Sequence, residues 1–413
     1  MDNVLGIICE YNPFHNGHLY HLNESKKIAN CKYSIAVISG NFTQRGEPSL
    51  IDKWSKAEMA IRNGVDLVIE LPTIYSISSA ENFANGAVKI LNSLKIVDCL
   101  SFGSECGDIS ILNDIVQVLI EEPKAYQTLL AHELAKGISF PNARENALLM
   151  YLGNVRRFAN ILSSPNNILG IEYLKSLKLN QSKINPITLK RQESEHNTSF
   201  FTSSSRYASG SAIRNTCFTN DITNIQRVVP EISYDIIENK LENGTLIKNI
   251  SVFDKEILFT LRKMSVEEIA ELPDVSEGLE FSIKKIANSC NTVQEFLNSI
   301  NSKRYTQSRI QRILLYAMLG ITKKDMLLSK NTIPYVRVLG FNKNGEKLIG
   351  EIVKQNPKLP VITSVKKFMD TNTNKNLKHF MEKDIEATNI YTLGYQKNSE
   401  ANLDYTHKLI IDN

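Results

Sequence analysis

The chain has 413 residues, and at roughly 150 residues per domain that length implies two or three domains and ample material for a core. Apolar residues make up 42% and charged residues 22%, the ordinary balance of a soluble globular protein. Lys+Arg numbers 48 against 44 Asp+Glu, a net charge of +4 that neither demands nor excludes nucleic acid until its distribution is known.

The first hundred residues alternate two periods. Val4–Glu10, Tyr33–Ser39, Asp66–Leu71 and Val97–Phe102 are short apolar, β-branched runs of the kind buried in a parallel sheet. Between them Gly17–Asn30, Lys53–Asn63 and Ser79–Leu94 carry helical patterns. This rhythm predicts an α/β fold with a doubly wound parallel (Rossmann-like) sheet, whose ligands bind at the carboxyl ends of the strands. Residues 108–185 read mostly helical, with a break at Ser163–Asn167 before a helix over Ile168–Leu179; Ile187–Arg191 reads as a fifth strand. Ser203–Ser211 reads as a loop that opens a helix at Ala212. From about 230 helical patterns dominate, so the expected division is a nucleotide-binding unit at 1–225 and a mainly helical region at 226–413. Tyr335–Phe341 and Lys347–Ile352 read as a hairpin across Asn342–Gly345, and the tail from 369 gives a weak signal. The six cysteines show no C-x-x-C spacing, the first residues show no basic-then-apolar leader, and no apolar run approaches the ~18 residues of a spanning helix. These readings predict a reduced, cytoplasmic protein.

The most informative stretch is Glu10–Leu19. A buried strand ends at Glu10, Pro13 and Gly17 shape a turn, and a helix begins with its N–H groups and positive dipole end available to an anion. His15 and His18 are three apart and share one side of the first turn. Two imidazoles beside such a terminus suit a triphosphate, where charge is stabilised on phosphoryl oxygens. An isolated pair of this spacing is more often an ordinary surface pair; the first strand of an α/β pattern changes that weighting.

His15-Asn16-Gly17-His18 in this setting resembles the H-x-G-H signature of the nucleotidylyltransferase superfamily. The longer string Glu10–His21 resembles the bacterial tRNA(Met) cytidine acetate ligase family, as do Ser39–Pro48, Gly64–Pro72, Phe102–Glu105 and Ser164–Gly170. The match is dense over residues 1–215 and thinner afterwards, where Lys303–Arg312 still fits. The resemblance implies an enzyme that activates acetate with ATP as acetyl-adenylate and acetylates the wobble cytidine of elongator tRNA(Met) to N4-acetylcytidine. It implies His15 and His18 as catalytic groups. ATP contacts are implied at Ile8, Cys9, Glu10, Tyr11, Asn12, Pro13, Phe14, His15, Asn16, Gly17, His18, Leu19, Tyr20 and His21. Further contacts are implied at Gly103, Asn166 or Asn167, and Arg191. Mg²⁺ is expected with the triphosphate, with no ligand assignable and no other metal site. The alternatives are a small-molecule adenylyltransferase of the pantetheine-phosphate or nicotinate-mononucleotide type, whose members are much shorter, and a non-catalytic RNA-binding protein.

Other candidates carry two readings each. Arg45 and Lys53 reach phosphate or RNA, or are a solvated loop and a helix start after an Asp52 cap. His196 reads as a loop histidine. Ser209–Arg214 places hydroxyls and a cation at a helix start, a phosphate site or a plain cap. Lys263-Met264-Ser265 resembles the second signature of class I aminoacyl-tRNA synthetases, but Glu267 and Glu268 follow, so Ser265 reads as the cap of a capping box. Met264–Phe281 holds six acidic and no basic residues, and Lys303–Lys324 holds six basic and no acidic ones. Within the latter, Lys303, Arg304, Arg309 and Arg312 form a candidate RNA footprint.

Overall fold

A computed structural model describes residues 2–153, 155–158, 160–191, 206–219, 221–300 and 305–412. Eight strands form one sheet: β1 (Val4–Cys9), β2 (Tyr33–Ser39), β3 (Leu67–Leu71), β4 (Cys99–Ser104), β5 (Asn185–Lys190), β6 (Val336–Asn342), β7 (Val361–Ile362) and β8 (Ile410–Asp412). Their order is β5-β4-β1-β2-β3-β6-β7, with β8 also paired to β6. β1 to β5 are mutually parallel, in register Leu5↔Cys99 and Ile7↔Ala36. The chain runs outward from β1 through β2 to β3, then returns to place β4 on the other side of β1. The direction of winding therefore reverses between β1 and β4, and the crevice at their carboxyl ends is the ligand position this topology favours.

Helices α1 (Asn16–Ile28), α2 (Lys53–Arg62), α3 (Ala80–Leu94) and α4 (Pro165–Leu179) cover the two faces. Alternation along the strands explains how. Ile35, Val37, Leu67 and Ile69 enter one core with Phe83 and Leu91 of α3 and Ile171 of α4. Ala36, Ile38 and Val68 enter the opposite core with Leu22 of α1 and Trp54 and Ala57 of α2. A third core is mainly helical; in it Ile257, Ile283 and Phe296 meet Ile313 and Leu314 of a helix at Gln307–Met318, here α6, which follows the short α5 (Gly210–Thr216).

Two sequence expectations change. The 335–352 hairpin is a strand followed by a helix, α7 (Lys343–Gln355). Asn342 is not a turn residue but the cap: its Oδ1 accepts from Asn344 N–H at 2.9 Å and Gly345 N–H at 3.0 Å. Leu348 and Ile352 then fall four apart on the buried side. β6 lies antiparallel to β3 (Leu67↔Phe341, Glu70↔Arg337) and carries β7 and β8. The sheet thus draws strands from both sides of position 225, while the helical core lies wholly beyond it apart from Phe42 and Ile77. The weak tail contains a 17-residue helix, α8 (Lys375–Tyr391), that buries Phe380, Met381, Asp384, Thr388 and Tyr391. Among the described residues no helix is long and apolar enough to cross a membrane.

Candidate active site at the carboxyl edge of the sheet

Beyond the half-buried Glu10, residues 11–15 leave β1 as a buried turn, with Tyr11 in the left-handed region at φ 46°, a conformation that costs a non-glycine residue and persists only where surroundings impose it. The surroundings are specific. Asn12 Oδ1 accepts Leu50 N–H at 2.8 Å, Arg214 Nη1 donates to Asn12 O at 2.8 Å, and Phe14 is fully buried against Tyr11.

The turn delivers His15 as the N-cap of α1. His15 Nδ1 accepts Gly17 N–H at 3.0 Å, and His18 Nδ1 accepts His15 N–H at 3.3 Å, a capping box made of two imidazoles. The rings stack at 3.8 Å. Each Nδ1 is an acceptor, so the proton of each neutral ring is assigned to Nε2. Gly17 is needed because a Cβ there would stand 2.9 Å from His15 Cε1. The glycine thus admits the His15 ring against the backbone. The free N–H donors expected at this helix start are occupied: Gly17 N–H by His15 Nδ1, Asn16 N–H by Val228 O at 3.0 Å. The anion-facing groups are the rings and neighbouring cations rather than bare amides. Asn16 Nδ2 also donates to Arg227 O at 2.8 Å, which makes Asn16 a tether.

Burial lowers the His15 pKa to about 3, helped by the positive charges of Arg191 and Arg214. His18 is lowered by the same burial, then by His15 and Arg191. His21 falls to about 4 through burial and Arg191. All three are neutral donors at neutral pH. His21 Nε2 lies 3.1 Å from Ser101 Oγ, which pins α1 to β4.

Across the crevice, Arg191 extends from the end of β5. Its N–H bonds Ser104 O at 2.9 Å, and its Cγ would lie 3.3 Å from a Cβ on Gly103, so the absence of a side chain at 103 seats the arginine stem. Arg191 Nη1 reaches Asn166 Oδ1 at 3.5 Å. Asn167 is 1% exposed, and its Oδ1 accepts Glu105 N–H at 2.9 Å and Cys106 N–H at 3.1 Å. Of the two asparagines, only Asn166 stands beside Arg191. Glu105 answers by accepting Asn166 Nδ2 at 2.7 Å and Asn167 N–H at 2.8 Å, which caps α4 with a carboxylate. α4 thus begins at Pro165, inside the break expected at Ser163–Asn167, and the Glu105 clasp has no signal in the sequence.

Arg45 is exposed at the rim, and its charge depresses the pKa values of both Arg191 and Arg214, in each case after the larger effect of desolvation. Among the described residues none of these three guanidinium groups forms an ion pair with a carboxylate. Lys53 does not join them. It is fully buried between Glu70 (2.9 Å) and Asp404 (2.7 Å), so it cannot reach phosphate or RNA. Asp52 is the expected cap, accepting Ser55 N–H at 2.9 Å.

The HIGH Nucleotidyl Transferase family model matches residues 2–405. A relative from Thermoanaerobacter sp. (strain X514) described as tRNA(Met) cytidine acetate ligase is 45% identical over 407 residues, covering 98% of this chain and 99% of its own. One of the same description from Clostridium perfringens is 40% identical over 419 residues, 99% of each chain. The chain belongs to the tRNA(Met) cytidine acetate ligase family. Its fold agrees with crystal structures of TmcAL from Thermotoga maritima. The apo form is 34% identical with TM-score 0.93, each chain 99% covered. The form with alpha-thio ATP bound is 33% identical with TM-score 0.91, each chain fully covered.

The family's H-x-G-H turn is therefore assembled here with Arg191, Arg214 and Asn166 around it. Other signals resolve differently. Ser265 and Glu268 form the expected capping box, 3.1 Å and 2.7 Å, which leaves no phosphate loop at Lys263. Arg309 donates to Asp274 O at 2.9 and 2.7 Å, and Arg312 pairs with Asp274 Oδ2 at 2.8 Å while only 7% exposed. Among the described residues one ion pair, Arg312 to Asp274, joins the acidic and basic segments, and both guanidinium groups are engaged there. Lys303, Arg304 and His196 lie outside the described residues.

Proposed function

We propose that this chain is an ATP-dependent ligase that activates acetate as acetyl-adenylate and acetylates the wobble cytidine of elongator tRNA(Met). The observation that carries the reading is the paired neutral His15 and His18 at the β1/β4 crevice, flanked by cations that lack carboxylate partners among the described residues. An acetate oxygen attacks the α-phosphorus, the α–β phosphoanhydride breaks, and diphosphate leaves with the electron pair. Ring Nε2–H donors and the Arg191 and Arg214 guanidinium groups stabilise charge on the phosphoryl oxygens; a single such donor contributes about 2.7–4 kcal/mol. The cytidine N4 then attacks the acetyl carbon and AMP departs. Anticodon bases are unpaired and enter a pocket without opening a duplex.

We assign ATP to the turn from Ile8 to His21, Gly103, Asn166 and Arg191, adding Arg214. Asn167 instead holds the β4 loop. For Mg²⁺, the nearest carboxylates are engaged: Glu10 Oε1 accepts Gln44 N–H at 2.7 Å and Glu105 caps α4. Among the described residues no group of three or more His, Cys, Asp or Glu converges on a metal position. RNA contact remains proposed for Lys303 and Arg304 and for the rim at Arg45, whose loop sits on α6: a Cβ on Gly46 would lie 2.5 Å from Arg312 N.

Incubation with labelled acetate, ATP and total tRNA tests the reading. Acid-stable label in one tRNA species is expected. Label transferred to a small phosphorylated acceptor instead, or none at all, refutes it.

A further inference from the structure

Lys56 lies on the first turn of α2 and is 0% exposed. Its Nζ donates to Gly40 O at 2.6 Å, Ser39 O at 2.8 Å, Ser49 Oγ at 3.0 Å and Glu10 O at 3.2 Å. Among the described residues no carboxylate lies within ion-pair distance of it, whereas its neighbour Lys53 has two. A buried ammonium answered by carbonyl and hydroxyl dipoles, with no carboxylate among the described residues, is an expensive arrangement. The acceptors it collects are not random. Glu10 precedes the histidine turn, Ser39 and Gly40 end β2, and Ser49 belongs to the strand-like return after the Arg45 loop. Glu10 and that loop are joined a second time, through Gln44 N–H. One ammonium thus gathers the three segments whose relative position decides where His15 and His18 stand.

We propose that Lys56 is a positioning residue for acetate activation, its protonated amine holding the Glu10 carbonyl, and through it the histidine turn, in register with the end of β2. This rests on the ligase reading above. A neutral amine offers two N–H donors instead of three, so deprotonation releases one of these acceptors. Desolvation pulls the Lys56 pKa down to about 8. The groups facing it are Glu10 in the turn after β1, Cys9 at the end of β1, Glu70 from β3 and Asp52 from the cap of α2, all opposing that descent. Protonated lysine predominates below this value and is lost above it, so the step it supports weakens as pH rises.

The test is acetate-dependent ATP–diphosphate exchange, measured with the full-length protein from about pH 7 to about pH 9.5. The wild type is expected to lose activity with a midpoint near 8. Lys56→Met is expected to fall about 100-fold in kcat, the scale of a small misplacement of catalytic groups, with KM for ATP little changed and the alkaline decline absent. Ser49→Ala removes one acceptor and one stabiliser of the charged form, so its midpoint is expected below that of the wild type. Lys56→Met exchanging at the wild-type rate, or retaining the decline, overturns the proposal. If that variant does not fold, an unmoved midpoint in Ser49→Ala does the same. A wild type with no exchange at any pH refutes the ligase reading instead.

Discussion

His15 and His18 act through a detail of single atoms. Because each Nδ1 is an acceptor within the capping box, each ring presents its proton on Nε2 without needing to be charged. His18→Ala is expected to slow acetate-dependent diphosphate release about 100- to 1000-fold, while ATP binding, followed by calorimetry, persists. Near-normal turnover would remove the motif from the mechanism. The same burial has a cost in acid. Unfolded histidines take up protons near the ordinary value of about 6.5, whereas His15 and His21 resist until about 3 and about 4. The unfolded state then binds more protons, so stability falls as pH drops below about 6.5. The urea midpoint is expected to be lower at about pH 5 than at about pH 7, and less so in His21→Asn; equal shifts in both proteins would contradict this.

At the scale of elements, the two sides of the crevice are held by different devices. α1 is fixed by its histidine cap and by His21 on Ser101, and α4 by Glu105 at its N-terminus. Glu105→Ala removes a carboxylate cap worth about 1 kcal/mol and unclasps Asn166 from Arg191. The expected result is a raised KM for ATP, with kcat less affected. α6 shows how tertiary contacts engage side chains that look free in the sequence. Its basic residues were legible, but their distribution in the chain could not reveal that Asp274 receives both Arg309 and Arg312. Arg312→Ala is therefore expected to lower stability by about 2 kcal/mol, seen as a reduced urea midpoint. Weakened tRNA binding with unchanged stability would restore its role at an RNA surface. Likewise Asn342-Lys-Asn-Gly carries turn chemistry, and the same asparagine oxygen that closes a turn caps a helix; packing of Leu348 and Ile352 decided for α7.

The whole molecule is closed by charges buried far apart in sequence. Lys53 meets Glu70 and Asp404, and Arg337 meets the same two carboxylates, at 3.0 Å to Glu70 and 2.5 Å to Asp404. β3, β6, α2 and the turn of helix carrying Asp404 are thereby locked together. Asp404→Asn leaves two buried cations with one carboxylate, and a loss of about 3–5 kcal/mol is expected; a melting temperature within error of wild type would show that the network relaxes. The parallel strands, their helices and the histidine turn were decided by the sequence alone, because apolar period, capping residues and a contiguous motif are local properties. Tertiary structure decided that the C-terminal strands complete the N-terminal sheet, that Asn166 rather than Asn167 faces Arg191, and that Lys53 and Lys56 are interior. It also divided the near-neutral +4 into internal pairs and the cations of the crevice. Those outcomes depend on which distant groups meet once the chain is folded, and a buried charge looks like a surface one until its partner arrives.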